Sequence, residues 1–117
     1  MSSYLSREIQ QIKKNARWGL LNVTDHALYR LKQRNMNEQY ILDMLQKKDT
    51  TIVQYHDVNT YHNNPDELFV CYAKDTCGKD SRPLHIVSAK KECKYTIVTC
   101  YVPNNKLFYA YGRYLRT

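Results

Sequence analysis

The spacing of apolar residues changes once along this chain, and that change restricts the fold more than any other feature. Up to about residue 48 apolar positions recur three or four apart, as on one face of a helix. From about residue 50 they alternate, as along a half-buried strand. Leu5, Ile9, Ile12 and Ala16 mark a first helix, with Ser3 or Ser6 as its cap. Gly19 allows a break before Leu20 to Val23. Thr24 or Asp25 caps a second helix whose stripe is Ala27, Leu28 and Leu31, and Asn35 suits the left-handed residue that ends it. Asn37 caps a third helix with Ile41, Leu42 and Leu45 inward, and Lys47 and Lys48 complement the dipole at its end.

The second half predicts strands over Thr50 to Tyr55, Leu68 to Ala73, Pro83 to Ala89 and Tyr95 to Val102. A polar loop, His56 to Glu67, separates the first two. The turn Lys74 to Arg82 contains Gly78, Lys91 to Lys94 makes a hairpin, and Pro103 stops the last strand. The tail, 104–117, is rich in Tyr and Arg and reads as a strand or a short helix. Helices at about 4–48 followed by a sheet at about 50–103 predict one α+β domain. Its helices pack on a twisted antiparallel sheet of about four strands. A chain of 117 residues fits one such unit.

Charge narrows the class of partner. Lys and Arg number 18 against 11 Asp and Glu, a net +7 with His neutral. That excess favours a polyanion, nucleic acid above all, through phosphate neutralisation and counterion release. Tyrosine accounts for 11 of the aromatic residues, beside 2 Phe and 1 Trp, and tyrosines can stack on bases or donate to phosphates. No apolar run approaches the roughly 20 residues of a membrane helix. Met1 to Lys14 has no apolar signal core, so the expectation is a cytoplasmic protein with no membrane partner. In that setting Cys71, Cys77, Cys93 and Cys100 read as free thiols. They lack the C-x-x-C spacing of a zinc knuckle, and no metal or other cofactor is expected.

Two constellations stand out. His26, Arg30 and Arg34 fall at i, i+4 and i+8, so one helix face carries an imidazole and two guanidiniums in a row. Such a row suits a phosphate backbone or a transition-state oxyanion, though taken alone it reads first as a solvated basic face. His85 lies inside the apolar strand Leu84-His85-Ile86-Val87, on the opposite side from Leu84 and Ile86. A histidine there can serve as a general acid or base, or be a buried structural histidine. Alternation puts Tyr95, Thr99 and Tyr101 together on one face of the last strand. His56 and His62 sit in the polar loop and rank second.

The segments Thr-Asp-His26-Ala-x-x-Arg30-x-x-x-Arg34, Pro83-Leu-His85-Ile-Val and Ile97-Val-Thr99-Cys-Tyr101-Val-Pro103 resemble a small family of domains of unknown function. That family is grouped with RelE-like and MqsR-like toxins in the barnase–EndoU–colicin–RelE fold. The likeness spans roughly residues 20 to 108. It implies helices on a twisted antiparallel sheet, an RNA cleft on the open sheet face, and metal-independent endoribonuclease activity in some relatives. It carries over to His26, Arg30, Arg34, His85, Thr99 and Tyr101 as the catalytic set. The chain departs from the pattern at Asn35, where relatives often have Gly, and at Val102, where they often have Arg.

The leading expectation is therefore a metal-independent endoribonuclease, the toxin of a toxin–antitoxin pair or a related effector. The RNA 2′-hydroxyl would attack the adjacent phosphate with His85 as acid or base and His26 as its partner. Arg30 and Arg34 would stabilise the phosphate charge. Lys32, Tyr55, Tyr95, Arg113 and Arg116 are added as RNA contacts. Two alternatives use the same scaffold: a non-catalytic RNA-binding module, and a protein-interaction module docking an acidic antitoxin-like partner.

Overall fold

The computed structural model describes residues 3–58, 66–74, 83–103, 108–109 and 114–115. Three helices come first: α1 (Ser3–Arg17), α2 (Asp25–Gln33) and α3 (Glu38–Leu45). A short strand, β1 (Asn22–Val23), intervenes between α1 and α2. Then follow β2 (Thr51–His56), β3 (Glu67–Lys74), β4 (Pro83–Lys91) and β5 (Lys94–Tyr101). In the tail β6 (Phe108–Tyr109) pairs antiparallel with β7 (Tyr114–Leu115) as a separate ribbon. The predicted α+β class is therefore observed, with helices packed on a sheet.

Local signals placed the helix ends. The Thr24 hydroxyl accepts from the Ala27 N–H at 3.1 Å, and the Asn37 side chain accepts from the Tyr40 N–H at 2.8 Å. Each supplies an acceptor to one of the N–H donors a helix start leaves unpaired. Asn35 takes φ 58° after α2, and the Met36 N–H reaches back to the Leu31 carbonyl at 2.9 Å. Thr50 closes α3 from below, its buried hydroxyl donating to the Met44 carbonyl at 2.8 Å.

The sheet differs from the expectation in one strand. Its order is β1-β5-β4-β3-β2, antiparallel throughout except that β1 runs parallel to β5. The sheet is therefore mixed and five-stranded, not four-stranded and antiparallel. Two residues are too few to show a period of two, so β1 left no pattern to read. Gly19 at φ 69° ends the α1 segment, Leu21 buries, and β1 pairs with Thr96 and Ile97 before Thr24 opens α2.

All three helices lie on one side of the sheet. Ile9, Ile12 and Ala16 of α1, Ala27 and Leu31 of α2, and Ile41, Met44 and Leu45 of α3 share one core. From the sheet come Ile52, Phe69, Cys71, Ala73, Leu84, Ile86, Tyr95, Ile97 and Cys100. The register makes this face consistent: Ile86 pairs with Cys71 on one side and Cys100 on the other. The β4–β5 hairpin turns through Glu92 at φ 50° and Cys93 at φ 67°, the two left-handed residues that a tight two-residue turn requires. Among the described residues, no helix is long and apolar enough to cross a membrane.

Candidate nucleic-acid interface

A bulge in β5 decides which side chains meet. The β4–β5 register runs Val87 with Thr99 and then Ser88 with Ile97, so Val98 is the extra residue. One inserted residue inverts the alternation beyond it. Thr99 and Tyr101 consequently share the face of His85 and Val87, away from the helices. Tyr95 lies on the other face, inside the helix-covered core and 3% exposed. The expected grouping of Tyr95 with Thr99 and Tyr101 is thus corrected, and Tyr95 offers RNA no surface.

His85 occupies the middle of the sheet, flanked in register by Tyr72 on β3 and Tyr101 on β5. Its ring meets Tyr101 edge-on, centroids 5.4 Å apart and planes at 67°. It is wholly buried, among Val70, Tyr72, Val87 and Ala89, which are buried on the same face. In this conformation the imidazole cannot touch a phosphate, so the geometry does not support His85 as the acid or base. Thr99 and Tyr101 are half-buried beside it.

The α2 row is differently placed. Thr24 anchors the helix start to the edge of the sheet, its N–H donating to the Ile97 carbonyl at 3.0 Å and its hydroxyl to the Val98 carbonyl at 3.1 Å. Ala27 and Leu31 bury against the sheet, which turns His26 and Arg30 out to solvent and leaves Arg34 half-buried at the margin. The Arg30 guanidinium touches Gln33 at 3.5 Å, and Gln33 donates onward to the Tyr29 hydroxyl at 3.2 Å. Among the described residues no carboxylate forms an ion pair with Arg30, Lys32 or Arg34. Lys32 is exposed but, two residues on from Arg30, projects from the other side of the helix. Burial raises the Cys100 thiol, and the positive charges of Arg34 and Arg30 oppose that rise. Cys100 belongs to the helix-covered face, so the arginines sit on that side of the sheet and His85 on the other. The expected catalytic set is split in two.

A second cluster went unread in the sequence. Glu8 of α1, only 6% exposed, receives the Lys90 ammonium at 2.6 Å and the Tyr95 hydroxyl at 2.7 Å on the same oxygen. Beside it Glu67 accepts from the hydroxyls of Tyr4, at 2.8 Å, and Tyr55, at 2.6 Å. Glu67, Lys90 and Tyr95 are successive neighbours across β3, β4 and β5. The Lys90 ammonium also lies 5.6 Å from the Tyr4 ring centre and 5.8 Å from that of Tyr95. Burial and the hydrogen bond to Glu8 push the Tyr95 hydroxyl upward in pKa; burial and Glu67 do the same to Tyr55. For Lys90, burial acts downward, but the hydrogen bond and charge of Glu8 outweigh it and the ammonium is held above its ordinary value. Tyr55, expected as an RNA contact, is thereby engaged: its hydroxyl serves Glu67 and its ring packs 5.2 Å from Phe69. The signal was available, since Glu8 stands four residues before Ile12 in the apolar stripe of α1.

Cys71, Cys93 and Cys100 are free thiols, Cys93 exposed and the others buried. Burial pushes Cys71 up to about 12, so it is no nucleophile at neutral pH. Among the described residues no three His, Cys, Asp or Glu side chains converge as metal ligands would. His56 is half-buried at the end of β2. Arg113, Arg116, His62 and Cys77 lie outside the described residues.

The fold and the exposed row define a basic α+β domain with a cationic ridge along α2. Residues 23–102, more than half of the chain, match the family described as Domain of unknown function (DUF4258), and the chain belongs to that family. The match begins at β1, so α1 lies outside it. No curated protein and no solved structure matches the chain.

Proposed function

We propose that the chain acts on RNA through the α2 ridge, as a metal-independent endoribonuclease of the kind expected from RelE-like and MqsR-like toxins. The observation that carries this reading is the row His26, Arg30 and Arg34. It is exposed or marginal, unpaired with any carboxylate among the described residues, and held in line by Ala27 and Leu31. A guanidinium pair of this kind grips phosphate oxygens and favours the charge of a pentacoordinate phosphorus. His26 would take the proton of the 2′-hydroxyl as its oxygen bonds to phosphorus. The bond from phosphorus to the 5′-oxygen then breaks, and that oxygen takes a proton from solvent. The products are a 2′,3′-cyclic phosphate and a 5′-hydroxyl. The role assigned to His85 from sequence passes to His26, and His85 becomes a residue of the sheet interior.

Incubating the purified chain with RNA in EDTA and mapping the new ends tests this. Chelation-resistant cleavage leaving cyclic phosphates, lost in His26→Ala and Arg30→Ala but kept in a folded His85→Asn protein, is the expected result. Cleavage that survives His26→Ala and vanishes in His85→Asn would return the catalysis to the sheet face.

The burial of His85 favours a second reading, RNA binding without scission, in which the ridge only grips the backbone. Binding with steep salt dependence and no new ends, with or without translating ribosomes, would select it. An acidic antitoxin-like protein would find the same ridge, and its co-purification would place the chain in a toxin–antitoxin pair working in the cytoplasm.

A further inference from the structure

Trp18 is the one tryptophan of the chain, and its side chain is 67% exposed. Large aromatic rings are mostly buried in folded proteins, so an indole left in water calls for a reason. The backbone beneath it is ordered by hydrogen bonds. The Trp18 N–H donates to the Lys14 carbonyl at 3.1 Å, Gly19 to Ala16 at 3.3 Å, and Leu20 to Asn15 at 2.9 Å, with Gly19 left-handed at φ 69°. In such a helix closure the residue after the glycine usually folds back onto the last turn. Here Leu20 is 64% exposed instead. A capped turn therefore presents an indole and a leucine outward, with exposed Lys14 and Arg17 beside them. Neither cation pairs with a carboxylate among the described residues.

Position connects this turn to the ridge. Leu21 anchors in the core, β1 follows, and Thr24 opens α2, so Leu20 and Thr24 are separated by at most about 14 Å. A few nucleotides of single strand cover that span. Two copies of the chain meeting at Trp18 would bring Lys14 and Arg17 against their own counterparts, which disfavours self-association. A polyanion with flat, unstacked rings suits both the cations and the indole. Resting on the RNA reading of α2, we propose that Trp18 is a stacking platform for a nucleobase of single-stranded RNA. Lys14 and Arg17 hold the flanking phosphates of the strand that runs on to His26 and Arg30. A base paired within a duplex has no free face to offer, so the platform selects single strands and tolerates any base.

Because Trp18 is the sole indole, its fluorescence reports on this site alone. A fluorescein-labelled oligouridylate is titrated with the full chain, with label anisotropy and indole emission followed together. Quenching in step with rising anisotropy is expected, with about tenfold weaker binding in Trp18→Ala and recovery in Trp18→Phe. A duplex of the same length should not quench. Anisotropy that rises without quenching, with Trp18→Ala binding unchanged, overturns the platform and leaves the RNA reading intact. No rise in anisotropy at all overturns both. A blue shift that depends on protein concentration alone would assign the turn to a second copy of the chain.

Discussion

The α2 ridge and the Glu8 cluster are built from similar parts, cations beside tyrosines, yet they differ in where their charges end. In the cluster Lys90 and Tyr95 both close on one Glu8 oxygen, and Tyr4 and Tyr55 both close on Glu67. On the ridge, among the described residues, Arg30 donates to the side-chain oxygen of Gln33 at 3.5 Å and meets no carboxylate. The difference separates positive charges that hold the fold from those that face solvent. A cation satisfied inside the protein ties α1 to β4 and β5, whereas one left to solvent is open to phosphate.

The largest effect should come from breaking the cluster. Glu8→Ala removes the acceptor of Lys90 and Tyr95 and leaves both polar groups in a largely buried site. A loss of about 2–4 kcal/mol is expected in urea unfolding. Substituting both Glu8 and Lys90 with Met should lose less than Glu8→Ala alone, since no charge is then stranded. A Glu8→Ala protein as stable as the parent would remove the contrast with the ridge.

His85→Ala should follow in size, at about 2–3 kcal/mol, because a buried ring between Tyr72 and Tyr101 leaves a cavity behind it. RNA affinity measured on the folded fraction should stay unchanged, since the ring lies across the sheet from Arg30. A matching loss of affinity would show that the two faces are coupled and sharpen the comparison against us.

The cluster also sets an alkaline limit. Tyr95, Tyr55 and Tyr4 all have hydroxyls raised from an ordinary value of 10.0, and Lys90 is raised from 10.5. Raised groups bind their protons more tightly when folded, so their contribution is whole below the unfolded values. It is lost as pH climbs through the folded ones. Stability should therefore hold through neutral pH and fall above about pH 10, with Tyr95→Phe making the fall shallower. Unfolding midpoints measured between pH 8 and pH 11 check the sign.

These contrasts also mark how far the sequence could be read. Thr24, Asn37 and Asn35 were legible because a cap or a left-handed residue is fixed by its neighbours within a turn. The alternation of Leu84 to Val87 likewise foretold the side of His85. Val98 was not legible, because a bulge depends on the partner strand, and through it Tyr95 was assigned to the wrong face. Nor could any spacing tell on which side of the sheet α2 would pack. The split between Arg30 and His85 was thus invisible until β1 was seen to carry the chain along the edge of β5. Glu8 lay in plain view within an apolar stripe, where a carboxylate implies a buried partner.

The smallest effect on folding, and the one that isolates the ridge, should come from Arg30→Ala and Arg34→Ala. Arg30 is exposed and Arg34 marginal, and surface substitutions away from packed features shift stability by less than about 0.5 kcal/mol. Their effect on RNA should be of another order. Each phosphate contact contributes about 0.7 to the slope of log affinity against log salt on a single strand. Each substitution should therefore lower the magnitude of that slope by about that amount and weaken binding most at low salt. Lys32→Ala, projecting from the other side of α2, should change the slope less. If all three variants reduce it equally, RNA is held by diffuse charge, not by a line of guanidiniums. If Arg30→Ala alone abolishes cleavage while Arg34→Ala only weakens binding, the reacting phosphate sits at the first turn of α2, between His26 and Arg30.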